Sequence, residues 1–179
     1  MSSKVLLINP PFYRLLGSHY NANSLGIAYI ASYLNEHGHD AWVYNADYLE
    51  EKEYRNLKNL FDGFSDYQKY FSNHDDPIWN EVVEKISDFA PEWVGYTSYT
   101  ANVTAIDIIS RKLKAEKALI KQVIGGVHAT LDNSVLNHLP AIDYSVQREG
   151  EEAMLSLIEG EKPESISGVV SRNSSGLCD

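Results

Sequence analysis

A single cysteine, Cys178, occurs among the 179 residues, so no disulfide can close within the chain. A reducing compartment, the cytoplasm, is the expected location. Long apolar runs are missing as well. The run near the start, Val5-Leu6-Leu7-Ile8, is the size of a strand, too short for a membrane span or a signal-peptide core. Positive charge is scarce: 15 Lys and Arg stand against 25 Asp and Glu, for a net charge of −10. That balance argues against nucleic acid or an anionic membrane as the main partner. Neither internal repeats nor low-complexity tracts are found. What remains, with 44% hydrophobic and 22% charged residues, is ordinary globular composition at a length that suits one domain with a full core.

Within that composition, short apolar runs alternate with helical periodicity. Strands are expected at residues 5–8, 40–46, 93–98, 120–124 and 143–146, with a further strand-like run at 166–172 and a turn at 173–176. Between them lie helical patterns. Ser24 reads as an N-cap, Ile27, Ile30, Ala31 and Leu34 as one apolar face, and Gly38 as the residue after the C-cap. Asp75-Asp76-Pro77 opens a helix that buries Val82, Val83, Ile86, Phe89 and Ala90 and stops at Pro91. Ile106, Ile109 and Leu113 mark another, and Met154, Leu157 and Ile158 the last. Strands alternating with helices imply an α/β fold, a doubly wound five-stranded parallel sheet in the flavodoxin-like (Rossmann-like) order 2-1-3-4-5.

Residues 48–73 stand apart, rich in aromatics and charges, with Leu57, Leu60, Phe61 and Phe64 at helical spacing. They read as a helical insertion. It either patches the sheet edge or serves as a lid or partner surface.

The stretch Val123-Ile124-Gly125-Gly126-Val127-His128 organises the rest: a buried strand ends in two glycines, where a bulky group could approach the backbone. Ligands of open α/β sheets sit outside the carboxyl ends of the strands. Three common occupants fit poorly. A flavin phosphate needs N–H donors after strand 1, and Asn9-Pro10-Pro11-Phe12 is poor in them. A phospho-acceptor domain needs an aspartate ending strand 3, where Thr97-Ser98 stands. A dinucleotide fingerprint should follow strand 1 and is absent.

The order of motifs resembles the N-terminal cobalamin (B12)-binding domain of cobalamin-dependent radical S-adenosylmethionine enzymes. Asn9-Pro10-Pro11 matches the Asn-Pro-Pro after strand 1, and Leu25-Gly26-Ile27-Ala28-Tyr29-Ile30-Ala31 the Leu-Gly-x-Ala-Tyr-x-Ala helix. Gly38-His39 leads into strand 2. Ser98-Tyr99-Thr100 stands at the Ser-x-Leu turn, with Thr100 in place of leucine. Gly125-Gly126-Val127-His128 matches Gly-Gly-x-His, and Arg148-Glu149-Gly150-Glu151 the Arg-x-Gly-Glu-like turn. The Asp-x-His-x-x-Gly motif of methyltransferases and mutases is missing; Pro10, Pro11 and Phe12 occupy its place and His19 lies late in the loop.

The resemblance implies cobalamin as the cofactor, held without a protein histidine on cobalt, in a domain spanning residues 4–160. It implies a whole enzyme that transfers methyl groups and carries S-adenosylmethionine and a [4Fe–4S] cluster elsewhere. The Cys-x-x-x-Cys-x-x-Cys cluster motif is absent here. Residues 161–179 are therefore expected to form a terminal strand and turn and the start of a linker to an absent catalytic barrel, the domain's partner.

For the site, the resemblance implies Asn9, Pro10 and Pro11 as a dry floor under the corrin, where a plain strand terminator is the alternative. Gly125 and Gly126 leave room for the nucleotide tail, or simply bend the chain. Ser98 and Thr100 bond the tail, or cap the next helix. Tyr99 covers the corrin edge, or is a surface tyrosine. His128 donates to ribose or phosphate, or faces solvent. Arg148 and Gly150 lie on the last edge turn. His37, His39, His74 and His138 lack metal-ligand spacing, so no protein metal site is expected. No catalytic residue is expected within the chain. The rival reading is a non-catalytic interaction module that has lost cobalamin and shapes substrate or domain contacts.

Overall fold

The computed structural model describes residues 2–17, 24–48 and 64–172. Its strands are β1 (Lys4–Asn9), β2 (Asp40–Asn45), β3 (Trp93–Thr97), β4 (Lys121–Gly125), β5 (Tyr144–Val146) and β6 (Val169–Ser171). Its α-helices are α1 (Leu25–Glu36), α2 (Phe64–Ser72), α3 (Pro77–Phe89), α4 (Val103–Glu116), α5 (Val127–Leu131), α6 (Val135–His138) and α7 (Glu151–Glu159).

Alternation along β1 builds the layers. Val5 and Leu7 face one side of the sheet and pack with Ile27, Ala31 and Leu34 of α1 and Ala153, Met154 and Leu157 of α7. Leu6 and Ile8 face the other and join Trp79, Val82 and Ile86 of α3 and Ile106, Ile109 and Leu113 of α4. A strand buried on both faces reads as a continuous apolar run for this reason.

The sheet order is β2-β1-β3-β4-β5-β6. The first five strands are parallel, and β6 runs antiparallel to β5, with Val146 opposite Val169. The expected five-stranded, all-parallel sheet is thus corrected to a mixed, six-stranded one. After α7 the chain turns at Gly160 and passes a 3-10 turn, Pro163–Ser165, before β6, whose start lies beside the carboxyl end of β5. Residues 160–168 thus carry the chain from α7 back to the carboxyl end of β5 before β6 begins, so β6 runs antiparallel to β5.

The caps carry smaller corrections. Asp76 accepts from the Ile78 N–H at 3.1 Å and starts α3 as expected. Ser24 occupies the N-cap position of α1, but its side chain makes no capping bond. Ala90, expected on a buried face, is exposed and is the left-handed C-cap of α3 (φ 51°). Of the insertion, α2 is described and residues 49–63, with Leu57, Leu60 and Phe61, lie outside the described residues, as does His19. Tyr67, Tyr70 and Phe71 of α2 pack against the core cluster on the α3–α4 side. The Tyr67 hydroxyl donates to the Ala101 carbonyl at 2.8 Å while its ring meets Phe12 edge-on.

Candidate cofactor site at the carboxyl edge

A cleft of about 120 Å³ opens at the carboxyl edge, between the sheet and the helices α1 and α7. Its floor is Leu7, Gly95 and Val123; its walls include Ile30 of α1 and Met154 of α7. Gly125, Gly126, Arg148, Glu149 and Gly150 line it from the loops after β4 and β5. The interior is therefore apolar, and the charged groups Arg148, Glu149 and Glu151 stand on the loop after β5 and at the start of α7, a common division in small-molecule sites.

Two glycines set its shape in different ways. A Cβ on Gly95 would stand 2.6 Å from Leu7 Cδ2, so the bare backbone keeps the floor low. Gly126 has φ 93°, and a Cβ there would stand 2.8 Å from the Ser98 nitrogen. The missing side chain of Gly126 thus serves the close passage of the β3 and β4 exits. Gly125, whose Cβ would meet Val146 O at an ordinary 3.5 Å, has no such constraint.

The residues singled out from sequence fall into three groups. Gly125, Gly126, Arg148 and Gly150 come together on the cleft. Ser98 lies beneath it, fully buried. Its hydroxyl donates to the Gly125 carbonyl at 2.6 Å and accepts from the Ala129 N–H at 3.3 Å. Beside it, Tyr99 is 46% exposed and its N–H donates to Asn102 Oδ1. Asn102 occupies the N-cap position of α4, but its side chain bonds back to Tyr99 and Thr97 and makes no capping bond. Thr100 Oγ1 and His128 Nδ1 lie 3.2 Å apart, and His128 Nε2 is 3.8 Å from Asp132 Oδ2.

The third group, Asn9, Pro10 and Pro11, is buried and does not line the cleft. Asn9 Nδ2 donates to Asn45 Oδ1 at 2.9 Å, tying the exit of β1 to that of β2. The loop beyond is clamped by a residue the sequence did not betray. Asp47, only 3% exposed, accepts from the backbone N–H groups of Phe12 (2.6 Å) and Arg14 (2.8 Å) through one oxygen. Burial pushes its carboxyl above the usual range, against the lowering effect of those bonds. Arg14 also reaches α3, where its Nη2 donates to Glu81 Oε2 at 2.5 Å and its Nη1 to Oε1 at 3.3 Å. That guanidinium, more than the neighbouring Lys85, holds Glu81 down at about 2.

Gly95 was also missed, although a lone glycine inside a strand is a known sign of close approach. Among the described residues no group of three His, Cys, Asp or Glu could hold a metal ion, and no helix is long and apolar enough to cross a membrane.

Residues 16–158 match the family described as the B12 binding domain. This chain belongs to the B12-binding domain family. The motif resemblance to a cobalamin-binding domain is borne out at that level. Two curated relatives are similar over shorter stretches. The anaerobic magnesium-protoporphyrin IX monomethyl ester cyclase of Rubrivivax gelatinosus is 32% identical over 120 residues, 66% of this chain and 20% of the relative. The enzyme of the same name from Cereibacter sphaeroides is 29% identical over 101 residues, 54% of this chain and 16% of the relative. The matched stretches thus make up a fifth or less of either relative's length.

Cobalamin makes specific demands on such a domain. Its nucleotide tail ends in a flat heteroaromatic base attached through an anionic phosphodiester. A narrow apolar cleft whose floor is bare backbone at Gly95, with Arg148 among its lining residues, fits that tail.

Proposed function

We infer that this B12-binding domain carries cobalamin with its nucleotide tail in the Gly95-floored cleft and with no protein imidazole supplied by the loop after β1. One observation carries the reading: the cleft lies at the carboxyl edge, where a doubly wound sheet receives its ligand, and a side chain on Gly95 would crowd its floor. The clamp formed by Asp47 and Arg14 supports the second half. It fixes Pro10, Pro11 and Phe12, none of which offers a nitrogen ligand, where related motifs place a histidine.

When bound, cobalamin supplies a cobalt centre whose bond to carbon can be made and broken, and the protein's part is to bind and orient it. Leu7, Ile30 and Met154 exclude water from the tail, and Asn9 and Asn45 hold the β1 and β2 exits together beside it. The Asn-Pro-Pro and Gly-Gly-x-His motifs support a catalytic partner of the radical S-adenosylmethionine class, with its own [4Fe–4S] cluster, working in a reducing cytoplasm. Methyl transfer is the reaction those motifs favour. A second reading, ring closure on a porphyrin ester, is favoured by the names of the two relatives. An interaction module without cobalamin leaves the cleft without a use.

The test is retention. The chain is incubated with hydroxocobalamin, passed through gel filtration and its visible spectrum recorded. Retained corrinoid in the base-off form is expected. Loss of all corrinoid, or a spectrum of imidazole-ligated cobalt, overturns the reading.

A further inference from the structure

Arg148 occupies the left-handed region at φ 63° without being glycine. That conformation is costly for a residue with a side chain and persists only where its surroundings impose it. Thr130 imposes it. The Arg148 N–H donates to Thr130 Oγ1 at 2.9 Å, and the Thr130 hydroxyl donates to the Gly126 carbonyl at 3.0 Å. One hydroxyl therefore ties the glycine turn after β4 to the turn after β5, the two loops that bound the cleft. Arg148 lines that cleft and is exposed. Glu149 and Glu151 line it too, yet among the described residues the Arg148 guanidinium makes no ion pair with either. Among the described residues the Arg148 side chain thus stands at the cleft with no ion pair or hydrogen bond of its own.

We propose that Thr130 is a positioning residue that fixes the turn at Arg148 so that its guanidinium receives the phosphodiester of the nucleotide tail. This rests on the reading of the cleft as the cobalamin tail site. Guanidinium and phosphate suit one another because the planar N–H donors match two oxygens at once. The same strain separates binding from stability: a glycine at 148 relaxes the backbone while deleting the charge.

The experiment compares binding of cobalamin and of cobinamide, a corrinoid without the phosphodiester and base, to wild type and to three variants. Arg148→Gly is expected to melt no lower than wild type, to bind cobalamin about tenfold more weakly and to bind cobinamide unchanged. Thr130→Val, which keeps the shape and loses both hydrogen bonds, is expected to follow it. Thr130→Ser, which keeps the hydroxyl, is expected to retain wild-type affinity. Should Thr130→Val not fold, Thr130→Ala removes the same hydroxyl with less bulk, and wild-type cobalamin affinity in whichever of the two folds overturns the role of Thr130. Wild-type cobalamin affinity in Arg148→Gly, or equal weakening toward both corrinoids, overturns the proposal while leaving the cleft assignment standing. Failure of wild type to bind cobalamin overturns both.

Discussion

Leu7 of β1 and Gly95 of β3 are register partners, and the absence of a side chain on Gly95 leaves the space beside Leu7 Cδ2 that forms the cleft floor. Gly95→Ala places a methyl 2.6 Å from that carbon, and Leu7 must turn away. Overpacking of this kind costs about 1–2 kcal/mol when the neighbour is a flexible side-chain end. Cobalamin affinity should fall further, by roughly tenfold or more, since the cleft itself is filled. Thermal melting and corrinoid titration of the same sample check this. A folded Gly95→Ala protein with unchanged affinity would remove the cleft from the account.

Asp47 offers a test of the loop clamp. Asp47→Ala leaves the Phe12 and Arg14 N–H groups without their acceptor and should cost about 2 kcal/mol. Asp47→Asn keeps an acceptor at Oδ1 and removes a buried charge, so it should be at least as stable as wild type at neutral pH. The sign of the pH effect follows from the raised carboxyl. The folded chain binds this proton more tightly than the unfolded one, so the group's contribution to stability falls as pH rises from the ordinary 3.8 through its raised value. Denaturant titrations across that window should show the loss in wild type and not in Asp47→Asn.

Glu81 behaves in the opposite sense. Its carboxyl, lowered from 4.5 to about 2 chiefly by the hydrogen bond from Arg14, stabilises the fold above the ordinary value. That stability is lost as pH falls from 4.5 through about 2. The side chain is 38% exposed, so solvent screening holds the effect to about 1 kcal/mol or less. Glu81→Gln should flatten the acid limb of a stability–pH curve, and added salt should shrink the difference between the two proteins.

In the core, the Tyr96 hydroxyl donates to Gln122 Oε1 at 2.7 Å, and Gln122 Nε2 donates to the Ser110 and Ala141 carbonyls. Both residues are buried, and burial pushes the phenol above its usual range. Tyr96→Phe leaves the amide oxygen without its partner and should cost about 2 kcal/mol in urea denaturation, with the slope unchanged.

Much of this was readable beforehand, for physical reasons. The β1 run and the spaced apolar residues of α1, α3, α4 and α7 announce elements that must bury particular faces. The glycine pair after β4 and the turn at Arg148 were visible as chain exits. β6 gave a weaker signal, because three half-buried residues pairing on one side need little hydrophobic pattern. Gly95, Asp47 and Thr130 matter through partners distant in sequence: Leu7, the Phe12–Arg14 backbone and the Arg148 N–H. Periodicity carries no record of such pairings. Ser98 was noticed as a polar turn residue, but only the folded chain reveals that its hydroxyl is spent on Gly125 and Ala129.

The most direct test of the central claim examines the cobalt itself. The chain is loaded with cobalamin, the bound corrinoid is reduced to the cobalt(II) state, and its electron paramagnetic resonance spectrum is recorded. On the proposed reading, with the tail in the Gly95 cleft and no imidazole from the loop after β1, the cobalt lines should lack splitting from an axial nitrogen. Nitrogen splitting of those lines would mean that the tail base or a histidine sits on the metal, and would contradict the account.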